Sequence, residues 1–519
     1  MHGEIEENRL DFYNQFILSH NFWKNEINYI SEFINNYKNF LIKQLETLMI
    51  PSIALLIFKK KQLKEKNVYK NYFTQPYEHL LSDINKYGLL DIIDENITAF
   101  IKITSNSINK AIVDLKKIAC IVCDNDIKEI TLGFGDLHST SLMPLCITLK
   151  NKKKFFLKPS PCNPADCFHK ICNILDIKYI RKNILGITNN YIIYDFLDYE
   201  PIVKTPLEFY KHIGRLMAVS TSLNLTDVHL ENLLVNANYP VILDFESLFT
   251  FKSDLKKNNR SKVHIDQKIT DIEATLFIEH FDKAKTERSF VSALQGGEVR
   301  NKSYLYPFVV NDGTDDFFVK YRKLSNYKSH NRAYDANGII YAEDYADIIQ
   351  NAFKNTLLKI IQKKHQIKNT LNREYINQFK YRHIIRSTAF YHFIYVRSFQ
   401  PYELKNQKKY WDTIKTKLNN DFLFHFDQKT KNMIIDSEIL ALKQGLIPFF
   451  YRDACSKDLF DHRNLKIVNA FSSSIFDNIQ LKIDMIDNNY INKNLLALKN
   501  CLNSSKYIKQ SIFNKGWLE

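Results

Sequence analysis

Four polar residues of the chain have the types and the order that phosphoryl transfer requires. Lys158 ends a predicted strand that follows a glycine-containing turn. Asp227 precedes Asn232 by five positions, and Asp244 follows Asn232 by twelve. Transfer of a phosphoryl group from ATP needs a lysine against the phosphates, a residue beside the attacking hydroxyl, and oxygen ligands for Mg²⁺. The spacing therefore predicts a kinase-like active site in which Asn232 and Asp244 hold magnesium.

A small antiparallel sheet and a strand–turn–strand unit must position these residues. Short runs of apolar and β-branched residues, bounded by polar turns, predict the strands. They are residues 130–134, 142–149, 154–157, 189–196, 233–235 and 241–243. A helix is predicted over 206–224, before the loop that carries Asp227. Each motif taken alone also fits an ordinary polar loop, so it is their order along the chain that favours a kinase-like fold.

Helical periodicity, with apolar residues every three or four positions, fills much of the remaining chain. It covers residues 1–115, residues 342–375 and the segments after residue 389. Residues 251–335 are polar and rich in lysine, and we predict that they form loops.

Composition and charge exclude several classes of protein. Of the 519 residues, 45% are hydrophobic and 25% are charged, so the chain is predicted to be globular rather than disordered. Its net charge of +15 favours anionic partners but does not choose between phosphates, acidic peptides, nucleic acid and membrane surfaces. The lysines are spread along the chain without a recognisable nucleic-acid-binding module, so no nucleic-acid partner is predicted.

The sequence predicts a cytoplasmic protein without a membrane span. Its N-terminus lacks the order of a secretory signal, and the apolar stretch Leu48–Phe58 is too short to cross a bilayer. The eight cysteines are scattered, which argues against a disulfide scaffold. Cys120 and Cys123 have the spacing of metal ligands, but because no second pair accompanies them, no zinc site is expected.

Longer motifs surround the candidate residues. They are Gly135-Asp136-Leu137-His138, Lys158-Pro159, residues 226–232 (TDVHLEN) and residues 243–249 (LDFESLF). Further blocks follow at 292–294, 312–315, 382–388 and 445–450. In this order, over about residues 100–460, the motifs closely resemble the dehydratase domain of LanM-type (class II) lanthipeptide synthetases.

The resemblance implies an α+β fold with a two-lobed catalytic core like that of lipid and protein kinases, and with large helical additions at both ends. The expected domains are a helical N-terminal region (1–115), a kinase-like N-lobe (116–205), a kinase-like C-lobe (206–400) and a helical C-terminal region (401–519). The C-lobe is expected to contain the elimination segment and an insertion like an activation segment at 251–335.

The resemblance also implies dehydration of Ser and Thr in a ribosomal precursor peptide with a leader and a Ser/Thr-rich core. With ATP and Mg²⁺ as cofactors, such enzymes phosphorylate the hydroxyl and then eliminate phosphate to leave dehydroalanine or dehydrobutyrine. Four groups of residues carry over by position: the cofactor-binding Lys158, Asn232, Asp244 and Glu246; the catalytic-loop residues Asp227 and His229; the phosphate-loop pair Asp136 and His138; and Arg382 and Thr388, which the family needs for elimination.

An arginine suits the elimination step, because its guanidinium fork stabilises the charge that develops on a departing phosphate. Arg382 and Arg386 are four residues apart, and we expect them to share one helix face. A solvated basic face is the alternative for this pair. If that helix breaks, Ser387 or Thr388 can cap a new helix that starts near Ala389.

The chain departs from the family pattern at several positions. Ser160, Ser141, Leu446 and Ser387 stand where the family commonly has arginine, glycine, aspartate and proline. These departures bear on substrate fit and rate more than on the kinase core. The ligand motifs of the family's zinc cyclase domain are not found in the sequence, so we expect that ring formation either falls to a separate cyclase as a partner or does not occur.

Two alternative functions remain at this stage. A kinase without elimination activity would modify a protein or another hydroxyl substrate, for example as an effector or a toxin, and would leave phosphate on its product. A non-catalytic binding module is disfavoured, because the lysine, the catalytic-loop residues and the acidic turn are all present.

Overall fold

The described residues up to Ala119 form six helices. The computed structural model describes residues 2–74, 78–86, 88–119, 126–132, 137–138, 142–159, 163–251, 270–279, 292–294, 305–323, 330–420 and 426–513. The helices are α1 (His2–Leu18), α2 (Asn21–Ser31), α3 (Tyr37–Gln62), α4 (Val68–Thr74), α5 (Glu78–Asn85) and α6 (Leu89–Ala119). Their apolar residues pack into one core, in which Trp23, Leu45, Ile53 and Ile101 are buried. The periodicity of this segment thus predicts its helices correctly.

Helix α3 is longer than the apolar stretch at Leu48–Phe58 suggests. It has 26 residues and continues on both sides of Pro51. By length and composition alone it is the one described helix that could cross a membrane. However, 61% of its most apolar window is buried within the protein, and it packs against helices α1, α2, α5 and α6. A core helix has the same composition, so α3 by itself is weak support for a membrane span.

A five-stranded antiparallel sheet follows the helices. Its strands are β1 (Ile127–Thr131), β2 (Leu145–Leu149), β3 (Lys154–Pro159), β4 (Ile184–Ile187) and β5 (Tyr191–Asp195), in the order β1-β2-β3-β5-β4. Helix α7 (Ala165–Ile174) connects β3 to β4. Side chains alternate along β3, so Phe155 and Leu157 join the helical core while Phe156 and Lys158 face the other side. The helical region therefore fixes the face of the sheet from which Lys158 projects.

A second core lies beyond this sheet. The elements that follow the sheet are α8 (Pro206–Ser222), β6 (Leu233–Asn236), β7 (Tyr239–Ile242), α9 (Asp271–Ala274), β8 (Leu305–Val310), β9 (Phe318–Lys323), β10 (Tyr334–Asp335), β11 (Gly338–Ile339), a 3-10 helix (Ala342–Tyr345), α10 (Ala346–Gln362), α11 (Lys364–Thr370) and α12 (Arg373–Ile376). Helices α8 to α12 and the β6–β7 hairpin contribute to this second core, whereas the β8–β9 hairpin packs on the N-terminal core. Helices α8 and α10 pack closely at Gly214. A Cβ atom at this position would lie only 2.5 Å from the carbonyl oxygen of Ile349. Glycine at this position thus permits the approach of the two helices.

The C-terminal part combines helices with a second sheet. It contains β12 (Lys380–Arg382), α13 (Thr388–Ser398), α14 (Pro401–Leu404), α15 (Gln407–Asn420), α16 (Gln428–Lys443), β13 (Phe450–Asp453), β14 (Leu459–Asp461), β15 (Lys466–Ile467), α17 (Ile475–Met485) and α18 (Asn488–Phe513). The strands form an antiparallel sheet in sequence order. The prediction that residues 401–519 are helical is therefore incomplete. Strands of two to four residues carry too little periodicity to be predicted. The pairing of β12 with β13 also joins distant residues, such as Lys380 and Asp453.

The predicted loop region 251–335 contains a hairpin that docks on the N-terminal helices. Strands β8 and β9 pair over six residues, and Asp312 and Asp315 lie in their turn. Asp312 accepts hydrogen bonds from Arg9 Nη2 at 2.9 Å and from the Tyr69 hydroxyl at 2.6 Å. Asp315 accepts one from the backbone nitrogen of Tyr69 at 2.8 Å. The hairpin is thus attached to α1 and to the start of α4 by aspartate side chains.

We expect Asp312→Asn to release this hairpin, because the buried Arg9 loses a charged partner. Loss of a charge-assisted hydrogen bond costs about 1.5–3 kcal/mol, which corresponds to at least about tenfold faster cleavage of the hairpin in limited proteolysis. Asp316→Asn is the matched control, since Asp316 contacts Lys61 on the exposed surface. Equal cleavage of the two variants would show that Asp312 does not hold the hairpin.

Candidate active site

Lys158 and the carboxylates of Asp244 and Glu246 form the centre of the candidate site, which we call the Lys158 cluster. Lys158 Nζ lies 2.7 Å from Asp244 Oδ2 and 3.6 Å from Glu246 Oε2. Burial alone would lower the pKa of Lys158, but the two carboxylates outweigh it and raise that pKa above its ordinary value. Burial would likewise raise the pKa of Asp244, but the Lys158 ammonium holds it below its usual range. Both side chains are therefore charged at neutral pH.

The β6–β7 hairpin brings Asn232 and Asp244 to the same end of one structural unit. Asn232 precedes β6, Asp244 follows β7, and the backbone nitrogen of Leu243 donates to the carbonyl oxygen of Asn232 at 2.9 Å. The twelve-residue spacing is thus the length of two short strands and their turn. Asn232 Nδ2 donates to the carbonyl oxygen of Asp227 at 2.8 Å and lies 3.2 Å from His229 Nε2. These contacts leave the amide oxygen of Asn232 for another ligand.

Asp227 is held in an uncommon backbone conformation. Its φ is +65°, in the left-handed region, which a short polar side chain tolerates better than most others. Burial raises the pKa of Asp227, and the nearby carboxylates of the Lys158 cluster act in the same direction. His229 and Arg382 oppose this shift, and His229 Nε2 lies 3.9 Å from Asp227 Oδ1. A carboxylate with a raised pKa is a stronger base than an ordinary aspartate.

Arg382 joins the Lys158 cluster from the C-terminal sheet. It ends β12, and its backbone nitrogen donates to the carbonyl oxygen of Glu246 at 2.8 Å. Its guanidinium Nη1 donates to Glu246 Oε1, and the Phe449 ring centroid lies 5.4 Å from the guanidinium carbon. Glu246 is therefore shared, with one carboxylate oxygen toward Lys158 and the other toward Arg382. The structure thus brings together residues that are more than 200 positions apart in sequence.

His138 also reaches this region. His138 forms an isolated β-bridge with Ile447, whose backbone nitrogen donates to the carbonyl oxygen of Leu137 at 2.9 Å. The His138 ring makes an edge contact with the ring of Phe449. Burial lowers the pKa of His138, and the cations Arg382 and Lys158 lower it further. The imidazole is therefore neutral at pH 7. Asp136, the other member of the predicted pair, lies outside the described residues, as do Cys120 and Cys123.

Arg382 and Arg386 do not share a helix face, so this prediction is wrong. Residues 380–382 are extended because they pair with β13, and Arg386 lies in the loop that follows. The side chain of Arg386 is buried, with Nε 2.9 Å from Glu438 Oε1 and Nη2 2.7 Å from the carbonyl oxygen of Leu418. Glu438 also accepts a hydrogen bond from the Tyr391 hydroxyl at 2.6 Å. Arg386 is thus neither solvated nor part of the Lys158 cluster.

The predicted helix cap at Ser387 is confirmed. Its side-chain oxygen accepts a hydrogen bond from the backbone nitrogen of Phe390, and α13 begins at Thr388. In the described part of the chain, the Thr388 hydroxyl makes no hydrogen bond to a residue of the Lys158 cluster. The structure therefore places Thr388 at the start of a helix that follows Arg382, and its predicted role in elimination stays a prediction.

Lys182 and Phe449 also lie in this region, although neither residue is predicted from the sequence to belong to the site. Lys182 lies between α7 and β4 and, with Lys158 and the two carboxylates, lines one small cavity. Its Nζ donates to the carbonyl oxygen of Leu243. Phe449 falls in the 445–450 block, which the sequence comparison noted without assigning a function. A basic residue just before a strand is a common pattern, so no local signal distinguishes Lys182 from other surface lysines.

The side chains of the site could hold magnesium together with phosphates. Mg²⁺ prefers oxygen ligands, keeps several waters and binds through one or two carboxylates plus phosphate oxygens. Asp244 is ionised, and within the described ranges the amide oxygen of Asn232 accepts no hydrogen bond, so the two residues fit this ion. Among the described residues no cluster of three or more His, Cys, Asp or Glu side chains has metal-binding geometry, and magnesium bound with phosphates needs none.

We expect Arg386→Met to destabilise the protein by about 3–5 kcal/mol, because it leaves the fully buried Glu438 side chain without its ion-pair partner. The double variant Arg386→Met/Glu438→Gln removes both charges and should recover part of this loss. Urea unfolding followed by circular dichroism measures both effects. Equal midpoints for the wild type and the single variant would show that the ion pair does not stabilise this loop.

Comparison with known proteins agrees with the motifs. Residues 88–453 match a family described as a domain of unknown function, DUF4135, which is found in LanM-type proteins. Over 338 residues the chain is 25% identical to the lacticin 481/lactococcin biosynthesis protein LcnDR2 of Lactococcus lactis subsp. lactis. That match covers 61% of this chain and 35% of the relative, so the chain spans about a third of the relative's length. The resemblance to LanM-type proteins is thus confirmed, and because the family match covers more than half of the chain, the chain belongs to the DUF4135 family.

Proposed function

We propose that this chain is a cytoplasmic enzyme that dehydrates Ser and Thr residues of a ribosomal precursor peptide by phosphorylation and subsequent elimination of phosphate. The observation that carries the proposal is the Glu246 carboxylate, which holds Lys158 and Arg382 in one cluster. One cation is suited to phosphoryl transfer and the other to phosphate release. The relative's part in lacticin 481 and lactococcin biosynthesis supports a peptide substrate, with a leader and a Ser/Thr-rich core.

The arrangement of the elements supports a two-lobed, kinase-like core. A five-stranded antiparallel sheet carries Lys158 on β3, and helix α7 follows that strand. The β6–β7 hairpin presents Asn232 before its first strand and Asp244 after its second. Kinases place the phosphate-binding lysine and the metal-binding residues on corresponding elements.

In the proposed phosphorylation, the residues of the chain bind the nucleotide and orient the peptide. ATP and Mg²⁺, when bound, supply the phosphoryl group and neutralise its charge. Lys158 would contact the phosphates, and the oxygens of Asn232 and Asp244 would hold the metal. Asp227 would orient the Ser or Thr hydroxyl and accept its proton as the oxygen bonds to the γ-phosphorus, while the bond from that phosphorus to the departing ADP breaks. His229, which contacts Asn232, would keep this loop in place.

In the proposed elimination, a proton leaves Cα of the phosphorylated residue, the Cβ–O bond breaks, and phosphate departs with the electron pair. Arg382 would stabilise the negative charge that develops on phosphate. His138 lies in this region with a neutral imidazole, but its lowered pKa makes it a weaker base than an ordinary histidine. Roles for Thr388 and Asp136 in this step rest on the family resemblance.

Two observations favour the alternative, a kinase without elimination activity. The Arg382 guanidinium is engaged by Glu246, and Thr388 makes no described hydrogen bond to the Lys158 cluster. Such a kinase would leave phosphate on a protein or another hydroxyl substrate. Retention or loss of phosphate therefore separates the two functions.

We expect Lys158→Met and Asp244→Asn each to slow Mg-dependent phosphoryl transfer by about 10²–10³-fold, the effect of losing one preorganised charge contact. Transfer of labelled phosphate from ATP to the peptide measures this rate, and circular dichroism checks the fold. Lys154→Met, an exposed change at the other end of the same strand, is the matched control. Wild-type transfer by either site variant would contradict the kinase-like site.

We expect Arg382→Ala to make phosphopeptide accumulate, because the charge that develops on the departing phosphate loses its stabilising cation. We expect the same of Thr388→Ala, because Thr388 belongs to the same predicted elimination segment. Mass spectrometry follows short Ser/Thr-rich peptides encoded beside the gene, after incubation with enzyme, ATP and Mg²⁺. The wild type should remove one water per modified residue, whereas the variants should leave phosphate on the peptide.

The control for this experiment is Lys380→Ala. Lys380 is a cation two residues earlier on the same strand, where its Nζ lies 3.3 Å from the Tyr451 hydroxyl rather than on Glu246. Its variant should dehydrate the peptide like the wild type. Stable phosphopeptide from the wild type on several good substrates would favour the kinase without elimination activity.

A further inference from the structure

Lys182 connects the loop before β4 to the backbone immediately before Asp244. Its Nζ donates to the carbonyl oxygen of Leu243, which belongs to the β6–β7 unit. Lys158 connects the same sheet to the same turn, but through the Asp244 side chain. The acidic turn is thus held to the five-stranded sheet at two consecutive residues, once through its backbone and once through its carboxylate.

Aromatic rings of the sheet fix the position of the Lys182 ammonium. Nζ lies 4.4 Å from the ring centroid of Tyr194 on β5 and 5.9 Å from that of Phe156 on β3. A cation over an aromatic face is attracted by the ring's electron density. Among the described residues Lys182 has no carboxylate within 4.0 Å, in contrast to Lys158. Its directed hydrogen bond is therefore to a backbone carbonyl rather than to an acid.

Lys182 lines the same cavity as Asp244 and Glu246 but forms no ion pair with either of them. Burial lowers the pKa of Lys182 to about 7, and repulsion by Lys158 acts in the same direction, whereas Asp244 and Glu246 oppose it. An ammonium group that faced the solvent would avoid this cost. The aromatic contacts and the Leu243 hydrogen bond are what compensate for it here.

We propose that Lys182 is a positioning residue for Asp244, which fixes the backbone of the acidic turn so that the Asp244 carboxylate faces the metal-binding position. This inference rests on the proposed nucleotide and magnesium site. The Lys182 nitrogen keeps an N–H donor whether or not it is protonated, so its hydrogen bond to the Leu243 carbonyl can hold this short turn in place. Lys182 lies outside the motifs by which the sequence resembles LanM-type proteins, and it takes no part in the chemistry itself.

The test separates metal binding from nucleotide binding. A fluorescent N-methylanthraniloyl-ADP reports nucleotide affinity in EDTA, and MgCl₂ titrated into the saturated complex reports metal affinity. Lys182→Met keeps the apolar stem but removes the donor, and we expect it to raise the half-saturating Mg²⁺ concentration about tenfold. The affinity for nucleotide in EDTA should stay within about twofold of the wild type, since the phosphate-binding lysine is intact.

Two further variants make the result specific. Lys182→Arg keeps charge and donors and should bind Mg²⁺ nearly like the wild type. Lys178→Met, an exposed change four residues earlier in the same loop, should have no effect. If Lys182→Met fails to fold, the same titrations on Lys182→Gln, which keeps a shorter and uncharged donor, decide the question.

The possible outcomes are distinguishable. Wild-type Mg²⁺ affinity in folded Lys182→Met would overturn the inference about Lys182 but would leave the proposed function intact. A loss of nucleotide affinity in EDTA equal to the loss with Mg²⁺ would also overturn it, because Lys182 would then be a direct phosphate ligand. Failure of the wild type to bind the nucleotide at all would overturn the proposed function and the inference together.

Discussion

The carboxylate of Glu246 is the group on which the arrangement of the site depends. Two cations from different parts of the chain, Lys158 and Arg382, both contact it. Burying a charge costs several kcal/mol unless it is paired. In the described part of the chain Arg382 has its ion pair with Glu246, whereas Lys158 is also paired with Asp244 at 2.7 Å. Phe245 turns the opposite way and packs on Phe168 at 4.9 Å, which anchors the acidic turn in the second core. The alternation Asp-Phe-Glu thus places two carboxylates on one side and an apolar anchor on the other.

The position of this charged cluster depends in turn on how the sheet is buried. One face of the five-stranded sheet shares its core with the N-terminal helices, as Phe155 and Leu157 show. The period of two along β3 leaves Lys158 no other direction than toward the acidic turn. A slip of one residue in the pairing of β3 would turn Lys158 into the apolar core. The N-terminal helices thus fix the orientation of β3, although none of their described side chains forms an ion pair in the Lys158 cluster.

The features that could be predicted from sequence are those encoded locally. Lys158 lies at the C-terminal end of β3, and the spacing from Asn232 to Asp244 is the length of one hairpin. The order of these residues along the chain is therefore enough to predict which elements carry them. The strand that carries Arg382 could not be predicted, because three residues become extended only through pairing with β13, about 70 residues away. The contact of Lys182 could not be predicted either, because its partner is a backbone carbonyl in a distant segment, which has no sequence signature. Contacts between distant segments, rather than the motifs themselves, are what the sequence left open.

The engagement of Arg382 by Glu246 is compatible with a role toward phosphate. A guanidinium carries five N–H donors in a planar fork, and the Glu246 contact uses Nη1. In the described part of the chain Nε and Nη2 of Arg382 make no hydrogen bond, so a phosphate oxygen could be bound without breaking the contact. Arg386 shows the opposite use of the same side chain, because Glu438 and the Leu418 carbonyl occupy both Nε and Nη2. Of the two arginines in this segment, Arg382 therefore retains the donors that an anionic leaving group needs, and Arg386 is committed to the loop that presents it.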